Sequence, residues 1–235
     1  MQSYYFSSKL KPSFIFLNFE NFYNTIKIFH MIDTNRFNTI FEQSISDYHI
    51  SDDVNKTILN PYKEGSLDFL LYKKNWIDTV QWHLEDIIRE PSINAETALE
   101  IKRRIDKSNQ ERTDLVELID DFFFDEFKNI KPNKDAFIAT ETPAWAIDRL
   151  SILNLKIYHM QEEAKRKDAD KNHIEKCSDK LIVLLQQKEG LTTAINQLFE
   201  NITKGNAVIK TYKQMKMYND PNLNPVLRAS LKKTD

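Results

Sequence analysis

The sequence has little glycine, a single cysteine and no long hydrophobic run. Only 3 of its 235 residues are glycine, which disfavours β-sandwiches and dinucleotide-binding folds because both need glycine at their turns. The single cysteine, Cys177, excludes an intramolecular disulfide and favours a reducing compartment. No apolar run approaches the ~18 residues that a membrane span requires. These absences predict a cytoplasmic protein without a membrane span.

The chain also has no excess of charge of either sign. It contains 33 basic and 35 acidic residues, which give a formal net charge of −2. No overall field therefore attracts nucleic acid or an anionic membrane surface. The charged run AKRKDADKN lies between two helical segments, and we interpret it as a solvated turn. The sequence thus predicts no nucleic-acid partner.

Helical periodicity dominates the rest of the chain. Apolar residues recur at helical spacing in five segments, and each segment follows a capping residue. The predicted caps are Asp33, Ser66, Asn94, Thr142 and Asp170. The corresponding helices are predicted to end near His49, before Pro91, and near Phe127, Arg166 and Gly205. With a shorter helix predicted at about 206–218, we expect an all-α fold, an antiparallel bundle of about four long helices with short terminal helices.

A single helical domain is predicted for residues 31–220, because the length suffices for one core and does not require two. Residues 221–235 are expected to form an irregular tail. Residues 1–30 are aromatic and apolar, but polar residues interrupt any signal-peptide core. We interpret them as a poorly ordered extension or as a mis-annotated start, with Met31 as the alternative first residue.

The third predicted helix contains polar residues within its apolar stripe. Ser108, Asn109 and Arg112 lie on the same face as Ile105 and Leu115. A buried, unpaired guanidinium is very costly, so we expect carboxylates from neighbouring helices to meet Arg112. The candidate partners are Asp148, Glu85 and Asp86. Two interpretations stay open: an ionic network that fixes helix register, or a site that binds an anionic ligand.

The second and fourth predicted helices carry matching polar faces. Trp82 lies on a charged strip, where it either lines a pocket, contacts a partner or packs beneath neighbouring side chains. His159 shares a face with Asp148 on the fourth helix and provides a titratable neighbour. The candidate ligand-binding residues are Asn75, Trp82, Glu85, Asp86, Arg89, Asn109, Arg112, Asp148, Arg149, Lys156 and His159.

Metal chemistry is the alternative from the enzyme class. Di-iron bundles use Glu-x-x-His pairs, whereas here the order is reversed, as in the segments His83–Asp86 and His159–Glu162. A metal-dependent hydrolase or transferase that uses Glu85, Asp86 and His159 is therefore an alternative hypothesis, although the sequence assigns no metal site and identifies no cofactor.

A second carboxylate pair has a counterpart in other all-α enzymes. Glu117 and Asp120 resemble the pair with which nucleotide pyrophosphohydrolases bind magnesium. The second pair that those enzymes need is absent, and Glu117 lies on the side away from the apolar stripe. The pair therefore does not predict that activity.

Four long motifs carry a family resemblance. The segments NWIDTVQWHLEDIIR, KRRIDKSNQERTDLVELID, ETPAWAIDRLSILNLKIYHM and YKQMKMYNDPNLNP are similar to the bacterial family known as domain of unknown function 4254 over about residues 35–225. The family pattern includes Asn75, Trp82, His83, Glu85, Asp86, Arg89, Asp106, Asn109, Gln110, Arg112, Asp114, Asp148, Arg149, Ser151, Lys156 and His159. The resemblance implies no known activity, cofactor or catalytic residue. Because such proteins are often encoded near cell-envelope sugar transferases, it favours a sugar-phosphate or nucleotide-sugar ligand.

The leading hypothesis is a bundle whose polar site between helices binds a small anionic ligand, a phosphorylated metabolite or nucleotide sugar, or supports a partner enzyme. It predicts that Glu85, Arg112, Asp148 and His159 converge in one cleft. A non-catalytic interaction module, which docks a protein partner through the Trp82 strip or through residues 212–218, is the remaining alternative. The sequence is also compatible with an oligomer.

Overall fold

The computed structural model of the protein describes residues 32–217 and 220–231, so the predicted extension at residues 1–30 lies outside the described residues. The helices are α1 (Thr34–His49), α2 (Leu67–Ile87), α3 (Ala95–Phe127), α4 (Pro143–Ala164), α5 (Lys171–Thr203) and α6 (Pro225–Leu231). Two short strands, β1 (Phe137–Ile138) and β2 (Ala207–Val208), precede α4 and follow α5. The prediction of an all-α fold is confirmed.

Each of the first five helices begins at the cap that the sequence predicts. In every case the side chain of the cap accepts a hydrogen bond from a backbone N–H of the first turn; the caps are Asp33, Ser66, Asn94, Thr142 and Asp170. Pro143 occupies the first position of α4, where no N–H donor is required. Local capping chemistry therefore determines where these helices start.

The core lies between α1, α2, α3, α4 and the second half of α5. Phe37 and Phe41 of α1 pack with Leu71 of α2, Phe123 of α3 and Phe199 of α5, all fully buried. Short connections at residues 88–94 and 165–170 join helices that pack directly on each other, as in helical hairpins. None of the described helices has the length and apolar character needed to cross a membrane.

The prediction of a helix at about 206–218 is wrong. Residues 207–208 form β2, which pairs in parallel with β1, and residues 209–217 have no regular structure. Gly205 ends α5 with φ +73°. Its carbonyl accepts a hydrogen bond from the backbone N–H of Asn133 at 2.8 Å, and the Phe137 N–H donates to the Asn206 carbonyl at 2.9 Å. Because the connection after α3 takes up these backbone groups, α5 cannot be followed directly by another helix.

The segment expected to be an irregular tail contains a helix. α6 spans Pro225–Leu231, and its first turn begins after Asn224, whose side chain accepts a hydrogen bond from the Val226 N–H at 2.9 Å. This capping contact and the proline at the first helical position are the same signals that start α4.

A buried carboxylate anchors the start of α4. Asp120 of α3 accepts a hydrogen bond from the Thr142 hydroxyl at 2.7 Å and another from the Ala144 N–H at 3.3 Å. Burial raises the pKa of Asp120 to about 6, although both hydrogen bonds favour the charged form. Glu117, by contrast, accepts a hydrogen bond from the Gln214 N–H. The two carboxylates that resemble a magnesium-binding pair thus have separate structural partners.

We predict that Gly205→Ala destabilises the protein by at least about 1–2 kcal/mol, because a left-handed backbone is costly for a residue with a Cβ atom. That Cβ would also lie 2.8 Å from the Lys131 carbonyl oxygen. Urea unfolding measures the change. Gly190→Ala is the matched control: it lies inside α5 with nothing within 4 Å of the added Cβ, so it should stabilise by about 0.5–1 kcal/mol. Equal stability of the Gly205→Ala variant and the parent would contradict the prediction.

Candidate functional site

Arg112 lies beside aspartates from two neighbouring helices. Its Nε is 3.3 Å from Asp148 Oδ1 and 3.8 Å from Asp78 Oδ1, and its Nη2 donates to Asp148 Oδ2 at 3.4 Å. Lys74 lies on the inner side, with Nζ 2.5 Å from Asp78 Oδ2 and 2.7 Å from Asp148 Oδ1. Of the three partners predicted for Arg112, Asp148 is the one that forms an ion pair with it among the described residues. Together with Asp78 and Lys74, these two residues form a group of two cations and two anions that we call the ionic network.

The ionic network is deeply buried and hydrogen-bonded. The Lys74 side chain is 1% exposed, and burial raises the pKa of Asp78 while the adjacent ammonium group lowers it. Ser151 donates a hydrogen bond to Asp78 Oδ2 at 2.7 Å, and Asn75 Nδ2 donates to Ser151 Oγ at 3.0 Å. Since its members come from α2, α3 and α4, the network fixes these helices relative to one another.

A cleft of about 320 Å³ with several charged residues in its wall opens beside the ionic network. Its walls include Asp78, Trp82, Glu85, Asp86 and Arg89 of α2, Arg112 of α3, and Ile152 and Leu155 of α4. Arg89 forms an ion pair with Glu85, with Nη1 2.7 Å from Oε2. The Arg112 side chain is 27% exposed, and its Nη1 makes no hydrogen bond to the described residues. Five of the candidate residues therefore line one cleft.

The remaining basic candidates line a different cavity. Arg149 and Lys156 border a groove of about 870 Å³ between α4 and α5, which Asp148 also borders. Arg149 forms an exposed ion pair with Glu141, with Nη1 2.7 Å from Oε1. The cationic residues that the sequence groups together are consequently divided between the cleft and the groove.

Three candidates lie in neither cavity wall. Asn75 belongs to the ionic network, and Asn109 accepts a hydrogen bond from the Gln81 amide at 3.0 Å. His159 lies behind Trp82 and contacts other histidines. The expected convergence is thus partial: Glu85 and Arg112 line the cleft, Asp148 contacts Arg112, and His159 is outside the cleft.

Three histidines from three helices converge behind Trp82 and form what we call the histidine cluster: His49 of α1, His83 of α2 and His159 of α4. One ring nitrogen of each lies within 4.8 Å of the others, and the Nε2 atoms of His49 and His83 are 3.2 Å apart. In a tetrahedral site with Zn–N distances of about 2.0–2.1 Å, the coordinating nitrogen atoms of two imidazoles lie about 3.4 Å apart. The histidine cluster has the residue types and spacing of a metal-ligand set.

Each imidazole of the histidine cluster packs against an aromatic ring from another helix, and the His83 and His159 pairs are stacked. The ring pairs, with their centroid distances, are His83 with Tyr48 at 5.0 Å, His159 with Trp82 at 4.8 Å and His49 with Tyr158 at 4.2 Å. This packing orients the three rings. Trp82 contacts both the histidine cluster and the cleft, because it stacks on His159 and lines the cleft wall.

The protonation of the histidine cluster suits a cation. His49 Nδ1 lies 2.7 Å from the Ile45 carbonyl oxygen, so Nδ1 carries the proton and the neutral ring has its lone pair on Nε2. Burial lowers the pKa of His159 to about 4, with smaller contributions from His49 and His83, and burial also lowers the pKa of His83. His159 Nε2 is buried without a hydrogen-bond partner in the part of the chain that the structure describes. Neutral imidazole is the form that binds metal ions.

Asp52 brings a carboxylate to the exposed side of the histidine cluster. Its Oδ1 is 3.7 Å from His49 Nε2, and its side chain is 63% exposed. The backbone at Asp52 has φ +48°, a left-handed conformation that is uncommon for non-glycine residues and often marks functional sites. An ion bound by three neutral imidazoles would keep its full charge and face this carboxylate.

The metal ligands proposed from sequence do not come together. Glu85 and Asp86 line the cleft, whereas the potential ligand atoms near His159 among the described residues are those of His49 and His83. The two reversed His-x-x-carboxylate segments therefore contribute their histidines to one cluster and leave their carboxylates outside it.

His49, Asp52 and Lys74 are not among the residues predicted from sequence, although the sequence contains a signal for the histidines. Each member of the histidine cluster directly follows an aromatic residue, in the dipeptides Tyr48-His49, Trp82-His83 and Tyr158-His159. Adjacent helical residues project about 100° apart, so one residue can enter the cluster while its neighbour stacks on another histidine. Lys74 has no comparable signal, because a single lysine on an amphipathic helix is usually exposed.

Comparison with known families agrees with the sequence motifs. The sequence model of the family described as "Protein of unknown function (DUF4254)" matches residues 68–211, which is more than half of the chain. The chain therefore belongs to the DUF4254 family. The matched region is shorter at both ends than the 35–225 range that the motifs suggest, and His49 and Asp52 lie before it. No curated protein matches the chain, and no solved structure matches it.

We predict that Lys74→Met destabilises the protein by about 3–5 kcal/mol, because it leaves two buried carboxylates without their ammonium partner. Urea unfolding followed by circular dichroism measures the loss. Arg149→Met is the matched control, since it removes an exposed ion pair and should cost at most about 1 kcal/mol. Similar losses in the two variants would show that the ionic network does not stabilise the bundle.

Proposed function

We propose that this DUF4254 protein is a metal-dependent hydrolase or transferase whose histidine cluster binds a divalent transition-metal ion such as Zn²⁺. The observation that carries the proposal is the convergence of three imidazoles from three helices, with one ring nitrogen of each within 4.8 Å of the others. The lowered pKa of His159 favours the neutral ligand form. Because the single cysteine favours a reducing compartment, we propose that the protein acts in the cytoplasm.

The chemistry follows from the charge of the ligands. Three neutral imidazoles would leave a bound ion its full positive charge, which would lower the pKa of a water molecule bound to it towards neutrality. Asp52, on the exposed side, is positioned to accept the proton that this water loses. An ion held by His49, His83 and His159 would supply Lewis-acid activation of water, the chemistry that hydrolysis or transfer of a phosphoryl or acyl group requires.

A specific feature of the cleft favours a second candidate function, the binding of a small anionic ligand. Arg112 lines the cleft with an Nη1 group that has no partner among the described residues, and a guanidinium can bind phosphate through two parallel hydrogen bonds. Trp82 offers a stacking surface, while Glu85 and Asp86 offer acceptors for hydroxyl groups. We therefore propose a phosphorylated metabolite or nucleotide sugar as ligand, bound for catalysis or in support of a partner enzyme.

The metal proposal predicts that His83→Gln weakens Co²⁺ binding by more than about tenfold, because loss of a direct ligand should cost at least as much as loss of an outer-shell partner. Visible absorption of Co²⁺ measures binding, and circular dichroism checks the fold. Glu85→Gln is the matched control: it is on the same helix but outside the histidine cluster, and its affinity should equal that of the parent. Unchanged affinity in His83→Gln would refute the histidine site, and a loss in Glu85→Gln would favour the ligands proposed from sequence.

The ligand proposal predicts that sugar phosphates or nucleotide sugars raise the melting temperature of the parent protein. Arg112→Lys preserves the charge that the ionic network needs but removes the planar fork, so the affinity should fall by about 10- to 100-fold. Arg149→Met, which lies in the other cavity, should bind as the parent does. The proposal fails if no such compound stabilises the parent, or if both variants lose the same affinity.

A further inference from the structure

A second group of metal-ligating side chains joins the end of α4 to the start of α5. His173 Nε2 is 2.8 Å from Glu163 Oε2 and 3.4 Å from Cys177 Sγ. All three potential ligand atoms lie within 4.8 Å of one another. His173 and Cys177 are one helical turn apart on α5, whereas Glu163 comes from the last turn of α4. We call these residues the junction cluster.

Two short polar contacts of the junction cluster converge on one atom. The same nitrogen of His173 faces both the carboxylate and the sulfur, and this nitrogen carries at most one proton. If it is protonated, it donates to Glu163, and the Cys177 sulfur can then be only a weak second acceptor of the same N–H. If it is not protonated, it accepts from the thiol but presents a lone pair to the carboxylate. A cation at the centre of the three atoms would attract all of them.

The sulfur and nitrogen are already at the spacing of a metal site. A Zn–S distance of about 2.3 Å and a Zn–N distance of about 2.0–2.1 Å put the two ligand atoms about 3.5 Å apart in a tetrahedron, close to the 3.4 Å between Cys177 Sγ and His173 Nε2. Glu163 Oε2 would have to move outward by a few tenths of an ångström, and it is also 2.9 Å from an Arg166 nitrogen. That movement is available, since Glu163 belongs to the last turn of α4 and its side chain is partly exposed.

We propose that Glu163, His173 and Cys177 form a second metal site, distinct from the histidine cluster, that binds a Zn²⁺-class ion. Thiolate, imidazole and carboxylate together favour zinc over magnesium or calcium, which prefer oxygen ligands. Binding releases the thiol proton to solvent, and a water molecule can complete the coordination from the exposed side. Because the ligands come from both sides of the connection at residues 165–170, the bound ion links α4 to α5 and stabilises their hairpin.

Cobalt spectroscopy tests this site selectively, because the chain contains one cysteine. A sulfur-to-cobalt charge-transfer band can therefore arise only from Cys177, whereas an ion in the histidine cluster gives ligand-field bands without it. We expect the full-length protein to show the charge-transfer band and to melt at a higher temperature with Zn²⁺. His173→Gln should weaken the binding that produces this band by more than about tenfold, and Cys177→Ser should abolish the band.

Two further variants keep the test decisive. Glu163→Gln leaves the thiol and the imidazole in place and should weaken binding even if Cys177→Ser fails to fold. His83→Gln should lose the ligand-field component but retain the charge-transfer band, so the two metal proposals can fail separately. Absence of the charge-transfer band in the parent at saturating Co²⁺ would overturn the proposal and leave a hydrogen-bonded trio. A band of unchanged affinity in His173→Gln would also overturn it.

Discussion

The pairing of the buried Lys74 ammonium group with Asp78 and Asp148 determines how α2 lies against α4. A buried charge without a partner is so costly that neither helix can slide by one turn without breaking this contact. Arg112 brings α3 to the same carboxylates. His83 follows Asp78 by little more than one turn, and His159 follows Asp148 by three turns. The ionic network thereby sets the positions from which these two imidazoles meet His49.

Trp82 connects the two parts of the site that the ionic network positions. It stacks nearly parallel to His159, with an angle of 6° between the rings, and it forms part of the cleft wall. A ligand that displaced Trp82 would free the His159 ring to rotate, while an ion held by His159 would fix the tryptophan. The cleft and the histidine cluster therefore share one side chain, Trp82.

The parts of the structure that depend on residues close together in the sequence could be predicted from it. The caps that begin α1 to α5 act within one turn, so residues such as Ser66 and Asp170 reveal them directly. Arg112 was identifiable as an anomaly because a guanidinium cannot lose its charge. Its main contacts were only partly predictable, since whether Asp78 or Glu85 reaches it depends on helix rotation. The prediction of a helix at 206–218 is wrong for a similar reason. The apolar spacing of this segment is a local pattern, but the hydrogen-bond partners of its backbone lie in the connection after α3, which is distant in sequence.

The buried carboxyl group of Asp120 links folding to proton uptake. Its pKa in the folded chain is about 6, above the ordinary value of 3.8, so between these two values the folded state holds a proton that the unfolded chain has released. The contribution of this group to the free energy of unfolding consequently falls as the pH rises from about 4 to about 6, and it is constant above that range. The cost of burying the carboxylate that holds α4 against α3 is therefore smaller in weak acid than at neutral pH.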